Sequence, residues 1–301
     1  MLHKTNKPKS QGTSPFGTDD LGKKLFQNTA TLAIGRNLSA LGRLASIALI
    51  VRGFGVDIFG EYALIIAVLT IADWVLDFGT SDLFIRELVA DPAQRNKLFQ
   101  LLFATKLIQT PIAMVLMILA MFAMDYELHV IQAGAVAAIG LSAFSLVVVY
   151  QAVFRATLTV AKGVAAEPFS VVILVPAIFA VEHYNLGLIG LLSAYTLSRA
   201  VYFVGCYLLG RSDDPLSFTE ITKEDLLNFI RLATPIGGIG FLVVFNDALE
   251  LLSLSALSNT TDVAYYSAAQ RLIWPVLMAL TAVGATFYPV LGTHWRESKH
   301  K

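Results

Sequence analysis

Long apolar runs constrain this chain more than any other feature. Residues 114–124 read MVLMILAMFAM and residues 141–154 read LSAFSLVVVYQAVF, and neither stretch carries a charge. A helix at the surface of a water-soluble protein needs a polar face, which these runs lack. A bilayer core about 30 Å thick takes up roughly 20 such residues as one helix. Eight stretches of suitable length occur, near 30–51, 60–80, 99–124, 129–152, 164–182, 185–209, 232–257 and 263–291. They do not alternate in polarity, as the strands of a membrane barrel do. The expected fold is therefore an all-α integral membrane protein with eight transmembrane helices. Composition agrees: 56% of residues are AVILMFWYC and 15% are charged, with mean hydropathy +0.66. Soluble domains hold about 45–50% apolar and 25% charged residues. The same numbers exclude a disordered chain and oppose a soluble globular enzyme. Net charge is zero, 22 basic against 22 acidic residues, so nucleic acid is not an expected partner. One cysteine, Cys206, excludes an internal disulfide and a cysteine metal cluster.

The loops set the orientation, because short cytoplasmic loops are rich in Lys and Arg. Lys23 and Lys24 precede the first span. Arg86, Arg95 and Lys97, then Arg155 and Lys162, then Arg211, Lys223 and Arg231, and finally Arg296, Lys299 and Lys301 fall on that same side. The opposite loops hold Arg52 with Asp57 and Glu61, then Asp125 and Glu127, then Glu182, then Asp262. The expectation is a multi-pass protein of the cytoplasmic (inner) membrane with both termini cytoplasmic. Residues 1–29 are polar, without the apolar core of a secretory signal, and are expected to form a tail. Residues 30–209 would form a six-helix unit, 210–231 a cytoplasmic linker, 232–291 a further hairpin, and 292–301 a second tail. The stretch 220–231 is amphipathic and is expected to lie at the interface, with Thr222 as its N-cap.

Spans 7 and 8 faintly echo spans 1 and 2. FGEYALIIAVL at 59–69 and VAYYSAAQRLI at 263–273 align Tyr62 with Tyr266, each near the start of an even-numbered span. Tyr is common at span ends for interfacial reasons alone, so the echo has two readings. The segment ALGRLASIALIVRGFGVDIFGEYALIIAVLTIADWVLDFGTSDLFIREL at 40–88 resembles the first two helices of Wzx-type oligosaccharide flippases. These are polysaccharide biosynthesis proteins of the multidrug/oligosaccharidyl-lipid/polysaccharide exporter superfamily. RLATPIGGIGFLVVFNDALELLSLSALSNTTDVAYYSAAQRL at 231–272 is similar to helices 7 and 8 of that family. The resemblance implies two six-helix lobes around a cavity that opens alternately to each side. It implies a lipid-linked oligosaccharide as substrate, the bilayer and other polysaccharide-assembly membrane proteins as partners, and neither cofactor nor catalysis. Family members usually carry twelve to fourteen helices. Eight spans correspond to a complete first lobe and the first hairpin of a second, as expected of a C-terminally truncated product, a fragment, or a chain completed by another copy.

Charged residues inside the spans are costly and mark cavities or partners. They are Arg36, Arg43, Asp73, Asp77, Arg199, Asp247, Glu250 and Arg271, with Lys106 and Glu167 nearer the helix ends. Folding each hairpin at its loop sets Arg36 level with Asp73 and Asp77, and Arg271 level with Asp247 and Glu250. Arg43 has no acid at its level, Arg199 has only Glu167, and Asp77 lies near the membrane surface. In one reading Arg36, Arg43, Arg199 and Arg271 bind a pyrophosphate through bidentate guanidinium contacts. Asp73, Asp77, Asp247 and Glu250 then tune them or exchange a coupling cation. In the other, the same groups staple hairpins as buried pairs and never meet a substrate. PIGGIG at 235–240 is likewise either a bending point or a close-packing surface.

No His-Glu-x-x-His, P-loop or dinucleotide fingerprint is present, so no metal or nucleotide chemistry is expected. The function expected is a flippase carrying a polyprenyl-pyrophosphate oligosaccharide outward for polysaccharide or O-antigen export. The alternatives are a cation-coupled multidrug antiporter, which an acid-dominated cavity would favour, and a non-transporting remnant. A membrane glycosyltransferase would need a large extracytoplasmic loop, which the spacing of the spans does not provide.

Overall fold

The computed structural model describes residues 18–211 and 221–273, with backbone only for 18–37, and without the side chains of Val243 and Asp247. Seven α-helices fill this range: α1 Thr18–Asp77, α2 Thr80–Ala90, α3 Arg95–Ala123, α4 Leu128–Ala156, α5 Val160–His183, α6 Gly187–Gly210 and α7 Lys223–Leu257. Residues 260–273 are helical as well. No strand occurs among the described residues. The all-α membrane class stands, with six helical runs among the described residues long and apolar enough to cross a bilayer. One of these runs holds two of the expected spans. Gly55 interrupts α1 with φ 85° and ψ 174°, a conformation that a residue with a Cβ rarely adopts. Gly42 packs on Val171 of α5, and Asp73 meets Arg199 of α6. Helices α5 and α6 run antiparallel, with Gly190 on Val181 at one end and Gly205 on Ala166 at the other. Residues 42 and 73 therefore lie at similar depth, and α1 is a hairpin that reverses at Gly55.

Two expectations shift at the boundaries. Helix α1 begins at Thr18, inside the stretch 1–29 expected to be a tail; the acids Asp19 and Asp20 suit a helix N-terminus. The amphipathic stretch 220–231 is no separate helix, because α7 runs unbroken from Lys223 through the apolar segment. Thr222 caps it as expected. Its hydroxyl accepts from the Asp225 backbone N–H, and the Asp225 carboxylate accepts from the Thr222 N–H, which closes a capping box. The tail at 292–301 and most of the eighth span lie outside the described residues.

Helices α3, α4 and α5 end in the same way. Asp125, Leu158 and Asn185 take left-handed φ of 53°, 56° and 52° just past the helix. In each turn the next two backbone N–H groups reach back to the last carbonyls, as Asp125 to Phe122 and Tyr126 to Met121. That satisfies groups which hydrocarbon would leave bare. The apolar core splits along the bundle. One cluster joins α1, α3, α4, α5 and α6 around Ile65, Leu69, Met117, Leu141 and Leu191. A second joins α2, α3, α4 and α7 around Phe84, Leu102, Val153 and Phe229, and two smaller clusters lie beside them. The second cluster lies toward the face where Arg86, Lys97, Arg155 and Lys223 gather.

Helix α7 seats on a break in the second half of the hairpin. Phe78 and Gly79, both with positive φ (36° and 74°), separate α1 from α2. A Cβ on Gly79 would lie 2.5 Å from the Gly237 nitrogen, and one on Gly237 would lie 2.6 Å from the Phe78 oxygen. Gly240 packs against Trp74. PIGGIG is thus a close-packing surface in an unbroken helix. Gly238 faces open space. We expect Gly237→Ala to lower stability by about 1–3 kcal/mol through overpacking. Gly238→Ala should be neutral or slightly stabilising, as in any open helical position. Thermal unfolding of the two variants in detergent distinguishes them, and equal effects would refute this seat.

Candidate functional site

Among the described residues, charges inside the bundle meet across helices. Asp73, on the second half of α1, receives a bidentate contact from Arg199 of α6: Nη1 to Oδ1 at 2.7 Å and Nη2 to Oδ2 at 2.5 Å. The Arg199 side chain is 8% exposed and that of Asp73 19%. Tyr195 accepts a third hydrogen bond from Nη2 at 3.0 Å, and the guanidinium carbon stands 4.4 Å from the Phe144 ring centroid. Three of the five N–H donors of Arg199 are thus engaged within the bundle.

Asp77, one turn further on, meets Lys106 of α3. The ammonium donates to Asp77 Oδ1 at 2.5 Å, Thr80 Oγ1 at 2.8 Å and the Leu76 carbonyl at 3.1 Å. Ser81 donates to the same carboxylate oxygen at 2.5 Å. The Lys106 side chain is 1% exposed and that of Asp77 27%, so Asp77 is the partly exposed counter-charge of a buried ammonium. Arg43 is different. It contacts Glu167 across the α1–α5 interface, yet its side chain stays 54% exposed. Of its three guanidinium nitrogens, Nη1 is the one engaged with Glu167.

Asp73 and Asp77 thus belong to Arg199 and Lys106, where level alone had pointed to Arg36. Glu167 belongs to Arg43, where level had pointed to Arg199. Counting residues from a loop gives depth but not which side of a helix faces which neighbour. In the second hairpin, Glu250 accepts a hydrogen bond from Tyr266, and the Arg271 guanidinium lies 6.0 Å from the Phe59 ring centroid, within cation–π range. The side chains of Arg36 and Asp247 lie outside the described residues. Tyr62 is buried and packs edge-on against Tyr195 at 6.4 Å. Its echo Tyr266 is partly exposed, so the two tyrosines occupy unlike surroundings.

Lys106, Tyr195 and Phe144 were not among the expected site residues. Lys106 carried a usable signal, being the lone charge between 98 and 124. Tyr195 and Phe144 carried none, because aromatic residues are common in every span. A groove of about 450 Å³ lies between α5 and α6, lined by Ala177, Val181, Ile189, Gly190, Ala194 and neighbours. It is apolar, and none of the arginines lines it. Among the described residues no group of three or more His, Cys, Asp or Glu side chains is placed to hold a metal ion.

Comparison with known proteins places the chain. A family profile described as "Polysaccharide biosynthesis protein" matches residues 25–295. A solved structure named "protein A" is similar with a TM-score of 0.64 and 16% identity, over 92% of this chain and 66% of that one. The likeness is one of fold, and this chain spans just under two thirds of the length of that structure. No curated protein matches the sequence.

The Asp73–Arg199 pair yields a stability prediction. Arg199→Ala leaves a carboxylate without its counter-charge among apolar helices and should cost about 3–5 kcal/mol. Replacing both members, as Asp73→Leu with Arg199→Met, should recover most of that loss. Unfolding midpoints of the two singles and the double test the coupling, and additive losses would refute it.

Proposed function

The chain belongs to the polysaccharide biosynthesis protein family, and from that premise we propose that it translocates a polyprenyl-pyrophosphate-linked oligosaccharide across the cytoplasmic membrane by alternating access. The carrying observation is Arg43. It is a guanidinium in the middle of an apolar helix, more than half exposed, with donors beyond those that Glu167 takes. A cation is expensive in hydrocarbon and is tolerated where it faces a wet passage or an anion. A pyrophosphate is the anion that a planar guanidinium fits best. Arg271, held over the Phe59 ring, is the second ligand of the proposed site. Arg36 and Asp247 are retained as candidates on sequence grounds alone. Arg199, Asp73 and Asp77 serve the scaffold in this proposal, and Glu250 tunes the second hairpin through Tyr266.

The proposal includes the orientation. The Lys- and Arg-rich face is cytoplasmic, with both ends of the eight-span unit on it, and no catalytic step is assigned. A cation-coupled drug antiporter would need free acids in its cavity. Support for that reading weakens because Asp73 and Asp77 are each neutralised by a basic side chain from another helix.

The test is transfer of a fluorescent polyprenyl-pyrophosphate oligosaccharide between leaflets of proteoliposomes. Arg43→Ala and Arg271→Ala should each slow transfer about tenfold or more, the loss of one charge-assisted contact of about 1.5–3 kcal/mol, with unfolding midpoints unchanged. A polyprenyl-linked neutral sugar should be insensitive to both changes. Unaltered pyrophosphate transfer in the Arg43→Ala, Arg271→Ala double variant would overturn the assignment.

A further inference from the structure

The Lys106 contacts have a second meaning once they are placed on the backbone. Helix α1 stops at Asp77, and the next two residues take positive φ before α2 begins at Thr80. A helix broken inside a membrane leaves carbonyls without intrahelical donors. Such C-terminal ends, with their negative dipole, are where membrane proteins hold cations. Here the oxygen atoms at the break converge on one point. Asp77 Oδ1, Thr80 Oγ1 and the Leu76 carbonyl lie at 2.5, 2.8 and 3.1 Å from Lys106 Nζ, with the Asp77 carbonyl at 3.5 Å. Thr80 donates its own proton to the Asp77 carbonyl at 2.5 Å, which leaves its oxygen lone pairs for the cation. Ser81 donates to Asp77 Oδ1 and fixes the carboxylate. The ammonium at the centre is carried in from α3 on a fully buried stem.

We propose that the break between α1 and α2 is a monovalent-cation site whose resident cation is the Lys106 ammonium, and that ammonium-class ions from solution occupy it when that side chain is cut away. The charge sets the valence. Among the described residues a single carboxylate contacts the ammonium, and Asp82 and Arg155 pair with each other at 3.6 Å. One positive charge leaves the site neutral, while a divalent ion would leave an uncompensated charge among apolar helices. The spacing fits the class: the contacts at 2.8 and 3.1 Å lie within the 2.7–3.2 Å range of N–H···O bonds, and the one to the carboxylate is shorter at 2.5 Å. The location gives the site its consequence. Gly79, the second residue of the break, is the one on which Gly237 of α7 rests. A tethered cation therefore shapes the seat of α7, and in the intact chain that seat is indifferent to the salts around it.

The experiment uses the full chain in detergent. Unfolding is followed by labelling of the single buried thiol, Cys206. Lys106→Ala should lower the unfolding midpoint. Ammonium or methylammonium chloride should then raise it saturably by about 5 °C, while choline chloride at equal ionic strength should not. The parent chain should respond to none of them differentially, and Asp77→Asn with Lys106→Ala should lose the rescue. Equal effects of ammonium and choline on Lys106→Ala, or rescue that persists in the double variant, overturn the proposal. If Lys106→Ala does not fold, Lys106→Met is compared with Lys106→Met, Asp77→Asn. The proposal expects the neutral pair to be markedly the more stable, and equal stability of the two overturns it.

Discussion

A charge that enters an apolar helix bundle has to be met by an opposite charge, a polar backbone group or a wet cavity, because neither lipid nor aliphatic side chains can solvate it. The first hairpin carries Asp73 and Asp77 on its second half. Arg199 of α6 meets the first acid and Lys106 of α3 the second. The hairpin is thereby held by two different helices at neighbouring levels, and its rotation about its own axis is set. Apolar packing around Ile65 and Leu69 supplies most of the area. It is tolerant of small rotations, whereas a bidentate carboxylate–guanidinium pair is not.

The second consequence is the seat for α7. Because α1 is broken at Phe78 and Gly79, its backbone is accessible to a neighbour, and glycines on both sides let α7 approach closely. At the other end of the same half-helix, Gly60 meets the Thr260 carbonyl and Thr261 donates to Asp57 at 2.8 Å. Lys97 and Asp225 add an ion pair at 2.7 Å on the basic face. Exposed polar contacts of the last two kinds contribute little each. Close backbone approach in the apolar interior contributes more and admits no substitution. The α7 contact is therefore strongest at its two glycine positions and weakest at its exposed rims.

Arginines that look alike in sequence divide into two kinds in space. Arg199 is a buried cation with three of its donors on Asp73 and Tyr195. Arg43 keeps more than half of its side chain exposed beside a single acid. Spacing along the chain placed both at mid-span and was unable to tell them apart, since what differs is the acid that a separate helix brings to each. Lys106 shows the same limit from the other side. A lone lysine in an apolar run signals a partner, but which acid supplies it depends on how α3 lies against α1.

The sequence alone was enough to establish a helical membrane protein, the positions of most spans, the Thr222 cap and the gathering of basic residues on one face. Each of these follows from local rules: the length of an apolar run, the chemistry of a helix end, the cost of moving a cation through a bilayer. Tertiary structure alone decided the pairing of Asp73 with Arg199 and of Asp77 with Lys106, the break at Gly79 and the role of PIGGIG as a packing surface. Those depend on helix rotation and on contacts between residues up to about 160 positions apart. A pattern read along one strand of sequence fixes the depth of a residue in the bilayer, but only neighbouring helices fix the direction in which it points.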